Sequence, residues 1–144
     1  MGIEDNKDLA ARMVAAIDRH DLDGALALVH PDLLNHSAIP EAQGAAGLRI
    51  ILSKIYEAFP DMRWRCEDVI AEGDRVMCRI TMTGTHTGPL RFVRLPLEAT
   101  GRRVRSESVH LFRMESGKIV EHWAFRDDIG TMRQLGRLEA MVAS

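Results

Sequence analysis

The chain has 144 residues, 46% of them hydrophobic and 28% charged, with a formal net charge of -2. This is the length of a single domain, expected to span residues 1–144, and it can bury about two-thirds of its unfolded surface. A near-neutral chain lacks the basic footprint of a nucleic-acid binder, and no apolar run approaches the ~18 residues of a membrane span.

The N-terminus, Met-Gly-Ile-Glu-Asp-Asn-Lys, does not have the pattern of a signal peptide. Residues 6–20 place Leu9, Met13, Val14 and Ile17 at helical spacing. A second, short helix is expected over 22–29, ended by His30-Pro31, because the residue before proline avoids helical geometry. An extended stretch over 32–40 carries Asn35 and His36. These either line a pocket or close a turn. A third helix over 44–59 presents Leu48, Ile51, Leu52, Ile55, Tyr56 and Phe59, and Pro60 stops it.

The apolar period then changes to two. Met62, Trp64, Cys66 and Ile70 alternate with charged residues, Glu72-Gly73-Asp74 turns the chain, and Val76, Cys78, Ile80 and Met82 alternate again. Cys66 and Cys78 read as small buried hydrophobes in a reducing cytoplasm, the expected location, not as a disulfide framework or a zinc site. Residues 90–100 form a partly apolar connection with Phe92, Val93, Leu95 and Leu97. Strands over 102–113 and 118–126 follow, joined at Glu115-Ser116-Gly117 as a β-hairpin. Arg102, Arg103 and Arg105 at its start read as a solvated strand edge. Asp127 or Asp128 caps a last helix running to about Arg137. Helices segregated on one antiparallel sheet make an α+β fold. A curved sheet closed by the N-terminal helices, with a short C-terminal helix, forms a cone with a pocket for small, largely apolar molecules.

The hairpin concentrates the candidate chemistry. His110 is in phase with Ser106, Ser108 and Phe112, a combination that suits a polar cavity wall; the alternative is a core histidine satisfied by a neighbour. In strict alternation His122 shares a face with Val120 and Ala124, and Trp123 with Glu121 and Phe125. Asp127 is open to two readings, a general base beside a histidine or a helix cap. No phosphate loop, nucleophile elbow, zinc-protease helix or dinucleotide fingerprint is present. Neither a metal nor another cofactor is called for.

Several segments resemble, in order and spacing, the SnoaL-like polyketide cyclases of the nuclear-transport-factor-like superfamily. They are Ala58-Phe59-Pro60-Asp61-Met62, Glu72-Gly73-Asp74-Arg75-Val76, Gly84-Thr85-His86-Thr87-Gly88 and Thr100-Gly101-Arg102-Arg103-Val104, followed by Val109-His110, Gly117-Lys118-Ile119-Val120-Glu121-His122-Trp123 and Gly130-Thr131-Met132-Arg133-Gln134-Leu135-Gly136. The resemblance implies a cone fold, a homodimer or higher oligomer, and metal-free closure of an aromatic polyketide ring by intramolecular aldol condensation. In the family an aspartate removes a proton next to a carbonyl, while a histidine, a glutamine and an asparagine orient the substrate. Carried over, the asparagine falls on Asn35 and the histidine on His110. The glutamine position is Ser108, and the aspartate position, directly after the tryptophan, is Ala124. Asp127 resembles a carboxylate common in the family and is the candidate substitute base. His110 and Asp127 are thus the expected catalytic pair, with Asn35, His36, Ser108, His122 and Trp123 as substrate contacts on a small apolar or aromatic ligand. The alternatives are a non-catalytic ligand binder, a hydrolase- or hydroxylase-like enzyme, and a protein-interaction module using the open sheet face.

Overall fold

The computed structural model describes residues 2–91 and 96–139. Phe92, Val93 and Leu95 of the expected apolar connection lie outside the described residues; Leu90 and Leu97 flank them and bridge to each other. The elements are α1 (Ile3–Asp18), α2 (Leu22–Leu26), β1 (Val29–Asn35), α3 (Gly44–Ala58), β2 (Arg63–Glu72), β3 (Arg75–Thr85), β4 (Arg103–Glu115), β5 (Lys118–Arg126) and α4 (Asp128–Leu135). The strands form one curved sheet in the order β1-β5-β4-β3-β2. The architecture is therefore the expected α+β one.

β2 to β5 pair antiparallel as the alternation predicts. The two-residue turn between β4 and β5 has Ser116 and Gly117 both at positive φ, 50° and 77°, as a primed hairpin turn requires. Four strands of the sheet are thus written locally. The fifth is not. Val29–Asn35 pairs parallel to β5 at the sheet edge, so the sheet is mixed and not wholly antiparallel. The helix expected over 22–29 stops at Leu26, and its last residues enter this strand. Pro31 is tolerated there because it falls between Val29 and Leu34, where the register shifts, on an edge strand that can spare a donor.

One face of the sheet carries the core. Val76, Cys78 and Ile80 of β3, Val104, Phe112 and Met114 of β4 and Ile119 of β5 are buried with Leu9, Met13 and Ile17 of α1 and Leu48 and Leu52 of α3. Helix α1 packs on β2 and β3, α3 on β1, and α4 on β4. The end of α3 meets the β3–β4 connection very closely. A Cβ on Gly88 would lie 1.9 Å from the Glu57 carbonyl oxygen, and the Thr87 and Gly88 N–H groups both donate to Ala58 O at 3.2 Å. Only glycine fits this approach.

A β-bulge decides what β5 presents inward. Arg113 pairs with Glu121 but Met114 pairs with Ile119, which leaves Val120 as the extra residue. Ile119 and His122 therefore share the inner face although three residues separate them. Strict alternation, which groups His122 with Val120, misses this.

Candidate active site

The inner face of the hairpin holds a chain of three hydrogen-bonded side chains. Ser108 Oγ lies 3.0 Å from His110 Nε2, and His110 Nδ1 lies 2.9 Å from His122 Nε2. The two imidazoles are stacked, with centroids 5.2 Å apart and planes within 4°. Cross-strand register explains the chain: His110 pairs with Ala124 and Phe112 with His122, so the histidines are diagonal neighbours on one face. Trp64 of β2 packs on His110 at 4.8 Å and Phe112 on His122 at 5.1 Å.

His110 is 5% exposed. Its pKa falls well below the ordinary histidine value, first because burial disfavours the charged ring and then because His122 and Arg126 lie nearby. His122 is pushed down to about 4, again chiefly by burial, with Arg126 and His36 adding to it. Both rings are neutral at physiological pH. A neutral pair joined in this way has two self-consistent proton arrangements. If His110 Nδ1–H donates to His122, Ser108 donates to His110 and His122 Nδ1 carries a proton. If His122 Nε2–H donates to His110, His110 Nε2–H donates to Ser108 and His122 Nδ1 becomes an acceptor. No hydrogen bond to His122 Nδ1 is made among the described residues, so the open end of the chain can be either acid or acceptor.

Asn35 joins this face from β1. It pairs with His122, is buried, and is held by Gln43, whose Oε1 accepts from Asn35 N–H and whose Nε2 donates to Asn35 O, both at 2.8 Å. Its own Oδ1 accepts from Ser37 N–H at 3.0 Å, so its amide oxygen closes a turn while the residue sits at the level of the histidines.

Three expected site residues lie elsewhere. Asp127 is exposed, and its Oδ1 accepts from Gly130 N–H at 2.9 Å. It caps α4, and among the described residues no hydrogen bond or ion pair joins it to His110, so the structure does not bring the expected catalytic pair together. His36 and Trp123 are on the outer face. They stack at 4.4 Å, with the Arg75 guanidinium 5.3 Å from the Trp123 ring. His36 Nε2 meets Glu121 Oε2 at 2.7 Å, and Arg113 Nε donates to Glu121 Oε1 at 2.6 Å. These two partners, His36 first, hold the Glu121 carboxyl below its usual range. Adjacent residues of a strand point to opposite sides, so Trp123 could not share a wall with His122.

Two residues without a role in the sequence reading belong to the inner face. Trp64 covers His110, and its signal was the alternation of β2. Arg126 pairs with Ser108 across the hairpin, in phase with Ala124 and His122. Two shallow surface depressions, one around Asp18–His20 and Pro60–Arg63, the other around Pro31–Leu34 and Gln43-Gly44, do not include the histidine pair. The polar chain, not cavity size, marks the site. Among the described residues no three His, Cys, Asp or Glu side chains are grouped to hold a metal ion.

Comparison with known proteins gives the family of the chain. The chain is 34% identical over 134 residues to the aklanonic acid methyl ester cyclase DnrD of Streptomyces peucetius, covering 90% of this chain and 89% of that one. It is 33% identical over 128 residues to the nogalonic acid methyl ester cyclase of Streptomyces nogalater, covering 86% and 92%. Among solved structures, AclR, a proposed hydroxylase from Streptomyces galilaeus, superimposes with a TM-score of 0.82 at 32% identity, covering 95% of this chain and 84% of that one. The family model of the SnoaL-like polyketide cyclases matches residues 7–135. With residues 7–135 matched by the family model and relatives above 30% identity covered over most of their length, the protein belongs to the SnoaL-like polyketide cyclase family.

Proposed function

We propose that the chain is a cofactor-independent cyclase for a polyketide-type methyl ester, working by hydrogen-bond and acid–base chemistry on an apolar, oxygenated ring system. The observation that carries this reading is the hydrogen-bonded Ser108–His110–His122 chain on the inner face, with Ser108 and His110 buried, His122 half-buried and both rings neutral. In an intramolecular aldol closure a C–H bond next to a carbonyl breaks, the enolate carbon attacks a second carbonyl, and the resulting alkoxide takes up a proton. Histidines with lowered pKa are poor bases but good donors. Their part is to take up, at the open His122 Nδ1, the proton that the C–H releases, to hydrogen-bond the enolate, and to return that proton to the alkoxide. The substrate must therefore bring an acidic proton of its own, as a methylene between two carbonyls does. Asn35, beside His122, orients the substrate.

The test is turnover of aklanonic acid methyl ester by the purified chain, alongside an Ala124→Asp variant. Ala124 faces His110 across the hairpin. A carboxylate there supplies a base and, as a neighbouring negative charge, raises the His110 pKa. Turnover by the native chain and a rise of about tenfold or more in the variant are expected, since a positioned general base contributes about 10²–10⁴-fold. Absence of both turnover and saturable binding would remove the reading.

Ala124 also favours a second reading, a hydroxylase-like or ligand-binding member that works without the carboxylate, which the likeness to AclR supports. Saturable binding without cyclisation identifies it.

The same reading includes a homodimer. Ile70, Met77, Leu111 and Trp123 form a continuous row across the outer face of four strands, with Ile70 60% and Phe125 67% exposed. An apolar surface of this kind is a contact surface. A Leu111→Glu variant is expected to sediment as a monomer and the native chain as a dimer; a native monomer would remove the proposal.

A further inference from the structure

We propose that the site takes its ligand as an oxyanion, an enolate, phenolate or carboxylate on an aromatic ring, and that Arg126 is the residue that positions it. The inference rests on the small-molecule reading above and adds the charge of the ligand to it.

The inner-facing positions of the last three strands form one continuous face. On β3 they are Val76, Cys78, Ile80, Met82 and Gly84, and β4 and β5 continue the same face through the pairs Ser108–Arg126, His110–Ala124 and Phe112–His122. No Asp or Glu occupies this face. The position where the family carries its aspartate is Ala124, and the histidine pair beside it is neutral. Among the described positions of these three strands, the face therefore has one fixed charge, the guanidinium of Arg126. Its effect reaches both rings, since it contributes to lowering the pKa of His110 and of His122.

The groups that could neutralise Arg126 do so weakly. Asp128 Oδ1 lies 3.6 Å from Arg126 Nε, with both side chains at least half exposed. The Asp127 carboxylate is turned to Gly130 N–H, and the Glu107 carboxylate, on the other face of β4, pairs with Arg79 at 2.7 Å. Arg126 thus stands at the end of β5, half exposed, with one weak carboxylate partner among the described residues, and its planar fork can donate to a second. An arginine fork matches the two oxygens of a carboxylate or of an enolised dicarbonyl. Such a cation, next to neutral donors, stabilises negative charge as it forms. The same feature answers a difficulty in the chemistry. Without a carboxylate base, a site gains most from a substrate that loses its proton readily, and a cation at Arg126 lowers the pKa of that proton.

The experiment uses the full chain with 4-nitro-1-naphthol, whose neutral and ionised forms absorb at different wavelengths, and its O-methyl ether, which cannot ionise. The naphthol pKa is expected to fall by about one unit on binding, a preference of about tenfold for the naphtholate. Arg126→Gln is expected to remove this preference and leave the ether's affinity within about twofold. Arg126→Lys should keep part of it, as a charge without the fork. A bound pKa that rises, or one unchanged by Arg126→Gln, overturns the inference and leaves the small-molecule reading in place. Failure of both probes to bind overturns both.

Discussion

Replacing His110 by glutamine is expected to lower turnover of the methyl ester about 10²–10³-fold while KM changes much less. His110 is the middle link of the side-chain chain, joined to Ser108 through one nitrogen and to His122 through the other. Glutamine can hydrogen-bond one of these partners, but it cannot exchange donor and acceptor across a ring. His122 would then lose the partner that sets its tautomer, and the open Nδ1 would no longer serve as an acid. Ser108→Ala removes only the far end and should cost less, about tenfold. The checks are steady-state kinetics, with circular dichroism and thermal melting to establish that each variant keeps the fold. Native turnover in His110→Gln would exclude the histidine chain from the chemistry.

The second large effect concerns pH and stability. In the unfolded chain His122 titrates near 6.5; in the fold it is held at about 4. Between these values the unfolded chain binds a proton that the native chain does not, so stability rises with pH across this window. The contribution is fully present above about pH 6.5 and is lost as pH falls toward 4. The difference corresponds to about 3 kcal/mol for His122, and His110, displaced the same way, acts in the same direction. Urea unfolding midpoints should therefore drop steadily from pH 7 to pH 4.5. A His122→Asn variant should show a flatter dependence, whatever its absolute stability. Asp18 and Asp61 do not confuse the window. Their carboxyls are held low, chiefly by hydrogen bonds from Arg63 and from the Thr85 N–H, so their losses come at more acid pH. A midpoint that stays level between pH 6.5 and 4.5 would mean that the histidines are hydrated in the native state.

The parts of the fold that were legible are those whose partners are near in sequence. Hairpins β2–β3 and β4–β5 showed as alternation around Gly73 and Gly117, and α3 showed as a stripe stopped by Pro60. The face shared by Ser106, Ser108, His110 and Phe112 followed from alternation alone, because β4 contributes no extra residue. Two things were hidden. The pairing of β1 with β5 depends on backbone groups far apart in the chain, and His30-Pro31 was read as the end of a helix, with only the extended stretch after it. The extra residue at Val120 shifts the phase of β5 without changing its composition. For the site, Asp127 had two uses, and a Gly three residues on made the cap the cheaper one. His36 and Trp123 were drawn outward together because stacking and the Glu121 carboxylate satisfy His36 there. Arg126, last in its strand, was given no role from the sequence.

The parallel pairing of β1 has a kinetic consequence. Val29 meets Ile119 across most of the chain, whereas β3, β4 and β5 each pair with the strand before. Closing so long a loop costs entropy before any contact repays it, and non-local pairings of this kind slow folding. The four-strand meander is expected to form first, with the edge strand docking afterwards. Asn35 would then arrive beside His122 in the last step, so the histidine pair, already brought together by the β4–β5 hairpin, is covered only as the chain finishes folding. Until then both rings remain open to water and can ionise, and mildly acidic buffer should slow refolding more than it speeds unfolding.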